Sequence, residues 1–158
     1  MNAPEWQVEQ WFNTAEPLTL AGLRGRVVVL EAFQMLCPGC VTHGIPQAQR
    51  VHQAFDSGDV AVVGLHTVFE HHEAMSPTAL GAFLRQYRVG FPVGVDRPDG
   101  EGGLPLTMRA YHMRGTPTLI LFDATGEVRR EFFGQVGDLQ LGAEIARLVA
   151  ERPSISRE

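Results

Sequence analysis

Cysteine is scarce in this sequence: 158 residues carry two, Cys37 and Cys40. A scaffold stapled by several disulfides is therefore excluded, and so is a zinc site closed by four cysteines. Basic clusters are missing. The arginines are scattered and the formal net charge is −5, so no nucleic-acid footprint is present. Long apolar runs are missing too: none approaches the ~20 residues of a membrane span. The opening "MNAPEWQVEQW" has neither a basic n-region nor an apolar h-region, so no secretory leader is expected. These absences set the expectation of a cytoplasmic protein with no membrane or nucleic-acid partner. In that compartment thiols stay reduced, and a C-x-x-C pair points to catalysis or metal binding.

What is present suits one domain over residues 1–158, with a tail over 152–158 expected to be flexible. A chain this long buries roughly 70% of its unfolded surface and folds without a disulfide or a metal. "VVVLEAF", 27–33, is an apolar, β-branched run of the kind buried on both sheet faces, and "DVAVVGLH", 59–66, is a second. Between them Val41, Ile45, Ala48, Val51 and Phe55 recur at helical spacing. Ser76 and Pro77 open a second helix, as N-cap and first helical residue, with Leu80, Phe83, Leu84 and Tyr87 on one face. A third short strand spans 91–96 and a short helix 104–113. "TPTLILFD" and "VRREFF" flank "ATGE", a hairpin with Gly126 in its turn. The last helix starts near Asp138 and buries Leu141, Ile145, Leu148 and Val149, and "VEQWFN" near the front reads as an edge strand. The order β-β-α-β-α-β-α-β-β-α is mixed α/β.

Cys37 stands where the first buried strand gives way to a helix. Pro38 suits the first helical position, since it has no N–H to leave unpaired. Cys37 then lies near the N-cap, where free backbone N–H groups and the helix dipole stabilise a thiolate. Cys40 follows three residues later on the same side, more buried, placed to attack a mixed disulfide at Cys37. That arrangement supports thiol–disulfide exchange. Half a zinc site has the same spacing, but the chain has no further cysteine. The haem pattern C-x-x-C-H is absent, because Val41 follows Cys40. His43, or the group His66, His71 and His72, is the remaining source of metal ligands; exposed loop histidines are the plainer reading.

These residues resemble the thioredoxin superfamily, and within it the TlpA/ResA-type, AhpC/TSA-related group, over about residues 18–150. "LAGLRGRVVVLEAF" resembles that group's lead-in to its active-site strand, "CPGC" its redox motif, and "MRGTPTLILFDATGEV" its cis-proline segment and following hairpin. The resemblance implies a thioredoxin-like fold: a central mixed sheet flanked by helices, with an N-terminal extension and an αβ insertion over about 67–96. It implies a thiol–disulfide oxidoreductase with Cys37 as nucleophile and Cys40 as resolving thiol. Its partners would be disulfide-bearing proteins or small molecules, with a reductase or thiol pool for regeneration. No cofactor and no metal are implied. Pro117 matches the cis-proline facing the dithiol, and Thr116 the residue whose backbone pairs with a substrate strand. A trans-proline opening an edge strand is the alternative. Glu31 matches a buried acid beneath the resolving cysteine, able to exchange a proton with it. An edge-facing or ion-paired glutamate is the alternative. Pro46 matches the kink proline of the active-site helix.

Three departures bear on chemistry. Leu36 stands where the group usually has tryptophan. Pro38 and Gly39 reverse the usual Gly-Pro order, which leaves the potential open across about −270 to −120 mV. Pro46 lies one residue further from Cys40 than the pattern has it, which predicts a bulge or widened turn near Gly44. Two other functions compete. A peroxiredoxin-like peroxidase, with an antioxidant role, would oxidise Cys37 to sulfenic acid; "FQMLC" lacks the Thr and Pro of that environment. A copper-binding module would use Cys37, Cys40 and a histidine such as His112.

Overall fold

The structure is a computed structural model, and it describes residues 3–153. Its strands are β1 (Val8–Phe12), β2 (Val27–Phe33), β3 (Val60–His66), β4 (Val93–Asp96), β5 (Thr118–Phe122) and β6 (Val128–Phe133). Its helices are α1 (Ile45–Ala54), α2 (Pro77–Gln86), α3 (Leu106–Ala110) and α4 (Asp138–Ala150). The order is the one the sequence predicts. Ends move by a few residues, where turns take over from the pattern. The tail expected to be flexible lies, beyond Pro153, outside the described residues.

One sheet holds all six strands, in the order β1-β4-β3-β2-β5-β6. β2 pairs parallel with β3 and β3 with β4, while β1, β5 and β6 join antiparallel. This is the central mixed sheet that the resemblance implies. β1 forms one edge, as expected of "VEQWFN". β2 is central and buried along its whole length.

Alternation sorts β2 onto two faces. Val27, Val29 and Phe33 join the core formed with Ile45, Ala48 and Val51 of α1, Leu80 and Leu84 of α2, and Leu141, Ile145 and Leu148 of α4. Val28, Leu30 and Ala32 join the other core, with Trp6, Leu23, Met108 and Met113. Glu31 shares the parity of Val29 and Phe33, so it faces the side covered by α1. The same core contains Cys40. The strand period alone thus puts the one carboxylate of β2 on the dithiol's side of the sheet.

Local chemistry sets the helix ends. Ser76 Oγ accepts the Ala79 N–H at 3.2 Å and Pro77 follows it, so α2 starts where the sequence places it. Gly126 takes φ +88° in the turn between β5 and β6, where an L side chain would be strained. Tyr87 is largely exposed and Phe83 and Val149 are half-buried, so the predicted apolar faces are narrower than their lettering.

Candidate active site

β2 ends at Phe33, and the chain turns through residues 34–37 before becoming helical at Pro38. The turn is closed by the Cys37 N–H, which donates to the Gln34 carbonyl at 3.1 Å. Cys37 therefore stands just ahead of the helix, half-buried, with its thiol free. Its Sγ accepts the Cys40 N–H at 3.3 Å and its S–H reaches the Thr116 carbonyl at 3.5 Å. Cys40 is fully buried. Burial first, and the hydrogen bond with Cys37 second, push its thiol well above the ordinary range.

After Pro38 and Gly39 the helix widens into a π-helical turn, Cys40–Gly44, before α1. The Ile45 N–H donates to the Cys40 carbonyl, five residues back, as a π-turn requires. This is the widened turn predicted from the position of Pro46. The extra residue is absorbed there, and Pro46 falls in the first turn of α1.

Gly44, the last residue of the π-turn, packs against Glu31. A Cβ at this position would overlap Glu31 Oε1 and come within 3.2 Å of Pro117 Cβ. Glu31 is 1% exposed, and its Oε1 has no hydrogen-bond partner. Burial, with the charge of Cys37 as a second cause, raises its pKa well above the usual carboxylate value. The edge-facing and ion-paired alternatives for Glu31 are thereby excluded. The Thr116–Pro117 bond is cis, and the ring of Pro117 lies 3.4 Å from where a Cβ on Gly39 would sit. Cys37, Gly39, Cys40, Thr116 and Pro117 thus form one cluster, which Glu31 borders across Gly44, with Pro38 exposed at its helix start.

The histidines separate. His43 hydrogen-bonds the Val136 carbonyl at 3.1 Å, and His71, His72 and His112 are exposed. Among the described residues no three His, Cys, Asp or Glu side chains group as metal ligands. The copper reading therefore lacks its third ligand. Leu36, in the tryptophan position, is 56% exposed and leaves the approach to Cys37 lined by an aliphatic side chain.

Two side chains near the turn were not singled out for it by sequence. Gln34 is 1% exposed; its Oε1 accepts the Phe69 N–H at 3.1 Å and its Nε2 reaches Thr116 Oγ1 at 3.5 Å. His66, counted among the loop histidines from sequence, is buried at the end of β3 and accepts the Met35 N–H at Nε2, 3.2 Å away. The available signal was a polar residue at the end of each apolar run.

Residues 1–131 match the AhpC/TSA family. The chain belongs to the AhpC/TSA family. Within it, the thioredoxin-like resemblance holds across nearly the whole chain. The crystal structure of the thioredoxin-like superfamily protein SPOA0173 is 64% identical, with a TM-score of 0.93 over 96% of this chain and 97% of that one. A thiol-disulfide isomerase from Corynebacterium glutamicum is 49% identical, with a TM-score of 0.89 over 95% of this chain and 98% of that one. Protein DipZ of Mycobacterium tuberculosis is 30% identical over 139 residues, which are 87% of this chain and 19% of DipZ. The chain thus spans about a fifth of that curated relative's length. This AhpC/TSA chain has the fold and cysteine pair of thioredoxin-like oxidoreductases. Among the described residues no helix is long and apolar enough to cross a membrane.

Proposed function

We propose that the protein exchanges thiols and disulfides with a protein or small-molecule disulfide, using Cys37 as nucleophile and Cys40 as resolving thiol. The supporting observation is the asymmetry of the pair. Cys37 is reachable and accepts an amide N–H, while Cys40 is fully buried with its proton held tightly. In the reducing direction the Cys37 thiolate attacks one sulfur of the substrate disulfide. One substrate thiolate leaves and takes up a proton. Cys40 then gives its proton to the Glu31 carboxylate and attacks Cys37 Sγ, expelling the second substrate thiolate. Two electrons pass to the substrate, and the protein keeps a Cys37–Cys40 disulfide. A reductase or thiol pool returns the electrons.

In this reading the Thr116 backbone aligns the substrate strand, and Pro117, Pro38 and Gly39 shape the wall around the reacting sulfurs. A Cys40→Ser variant is expected to hold partners as mixed disulfides at Cys37, and Cys37→Ser to lose turnover. The reading falls if Cys40→Ser captures no disulfide substrate and the wild type reduces none across the potential range of glutathione and dithiothreitol buffers.

A further inference from the structure

We infer that His66 and Gln34 are positioning residues that hold the redox turn in register from the strand side, His66 through the Met35 N–H and Gln34 through Phe69 and Thr116. The inference rests on the proposed function only in taking Cys37 as the group whose reactivity the turn controls.

The turn between β2 and the helix has little else to fix it. Its internal bond is the Cys37 N–H to the Gln34 carbonyl. The Met35 N–H falls between sheet and helix, and Met35 is 8% exposed. Left unpaired there, an amide costs as much as a lost buried hydrogen bond. His66 supplies the acceptor. It lies opposite Phe33 in the β2–β3 pairing, and the two rings are 5.1 Å apart. That packing fixes the imidazole plane with Nε2 toward the turn. Accepting at Nε2 requires a neutral ring with its proton on Nδ1. Burial lowers the ring's pKa to about 4, so the lone pair is available at neutral pH.

Gln34 makes the complementary tie. Its side chain ties the Phe69 N–H, in the segment after β3 and 35 positions on, to Thr116, 82 positions on. Thr116 in turn offers its carbonyl to Cys37. Gln34 and His66 therefore set the two walls between which the Cys37 sulfur meets the Cys40 N–H. Neither side chain touches the sulfur, so both act through the backbone that carries it.

The test reads Cys37 without any physiological substrate. Iodoacetamide alkylation of Cys37 is followed against pH in wild type, His66→Leu and His66→Gln, with the glutathione redox equilibrium measured for each. Glu31, the other titrating group at the dithiol, is the same in all three. His66→Leu is expected to raise the midpoint of the alkylation profile, to slow alkylation at neutral pH about tenfold and to shift the glutathione equilibrium toward the protein disulfide. His66→Gln, which returns an acceptor at the same reach, is expected to recover most of that loss. In wild type, 15N NMR should show an unprotonated Nε2 coupled to the Met35 amide. If His66→Leu folds poorly, Gln34→Met, which keeps the length and removes the tie to Thr116, is read by the same assay. A wild-type profile in the variant read, equal shifts in His66→Leu and His66→Gln, or a proton on Nε2 overturns the inference. A wild type that alkylates at Cys37 but exchanges no disulfide overturns the proposed function and leaves this inference standing.

Discussion

Glu31 pits stability against chemistry at a single residue. It occupies a position of β2 where its neighbours on that face are Val29 and Phe33, and its Oε1 has no partner. The folded protein holds the Glu31 proton to higher pH than the unfolded chain does. Stability is therefore lost as pH rises from about 4.5 through the raised value. Glu31→Gln keeps the volume and removes the ionisation. It is expected to unfold at higher temperature at neutral pH, by about 2–4 °C per kcal/mol regained, while release of mixed disulfides from Cys37 slows. Calorimetry and the decay of a trapped mixed disulfide check the two halves. An unchanged decay rate would remove Glu31 from the proton path.

At the scale of the element, the π-helical turn is the feature that departs from regular structure. Its last residue, Gly44, leaves the space into which Glu31 points, with Pro117 on the other side. Gly44→Ala would drive a methyl into the carboxyl group, and small-to-large changes in packed sites cost about 1–3 kcal/mol. The expected outcome is a lower urea midpoint and a slower resolving step, with the first attack by Cys37 less affected. The sequence showed this element through spacing: Pro46 lies six residues past Cys40. It did not show that the surplus residue would open toward Glu31. That depends on how α1 settles on β2.

At the scale of the molecule, His66 links the site to global stability. Its pKa falls from 6.5 to about 4 on folding. The unfolded chain binds a proton at this ring below pH 6.5, and the folded protein waits until about pH 4. Stability is full above 6.5, declines as pH drops toward 4, and gains no further loss from this ring below that. The change in pKa corresponds to about 3 kcal/mol at 1.36 kcal/mol per pH unit. Relative to His66→Gln, the wild type should lose that stability between pH 7 and pH 4 in chemical unfolding, Glu31 acting in the opposite sense in both proteins. A slope that survives the substitution would assign the acid sensitivity to other groups.

The sequence by itself determined what local rules govern. Period-two and period-3.6 patterns, Ser76 with Pro77, Gly126 in its turn, and the paired cysteines located the elements, their order and the dithiol at a helix start. Those signals are legible because each acts within a few residues. The sheet order β1-β4-β3-β2-β5-β6, the burial of His66 and the reach of Gln34 to Thr116 were decided only by tertiary structure. Hydrogen-bond partners 31 and 82 positions apart leave no periodic trace, because their geometry is set by how strands and helices stack rather than by the residues between them.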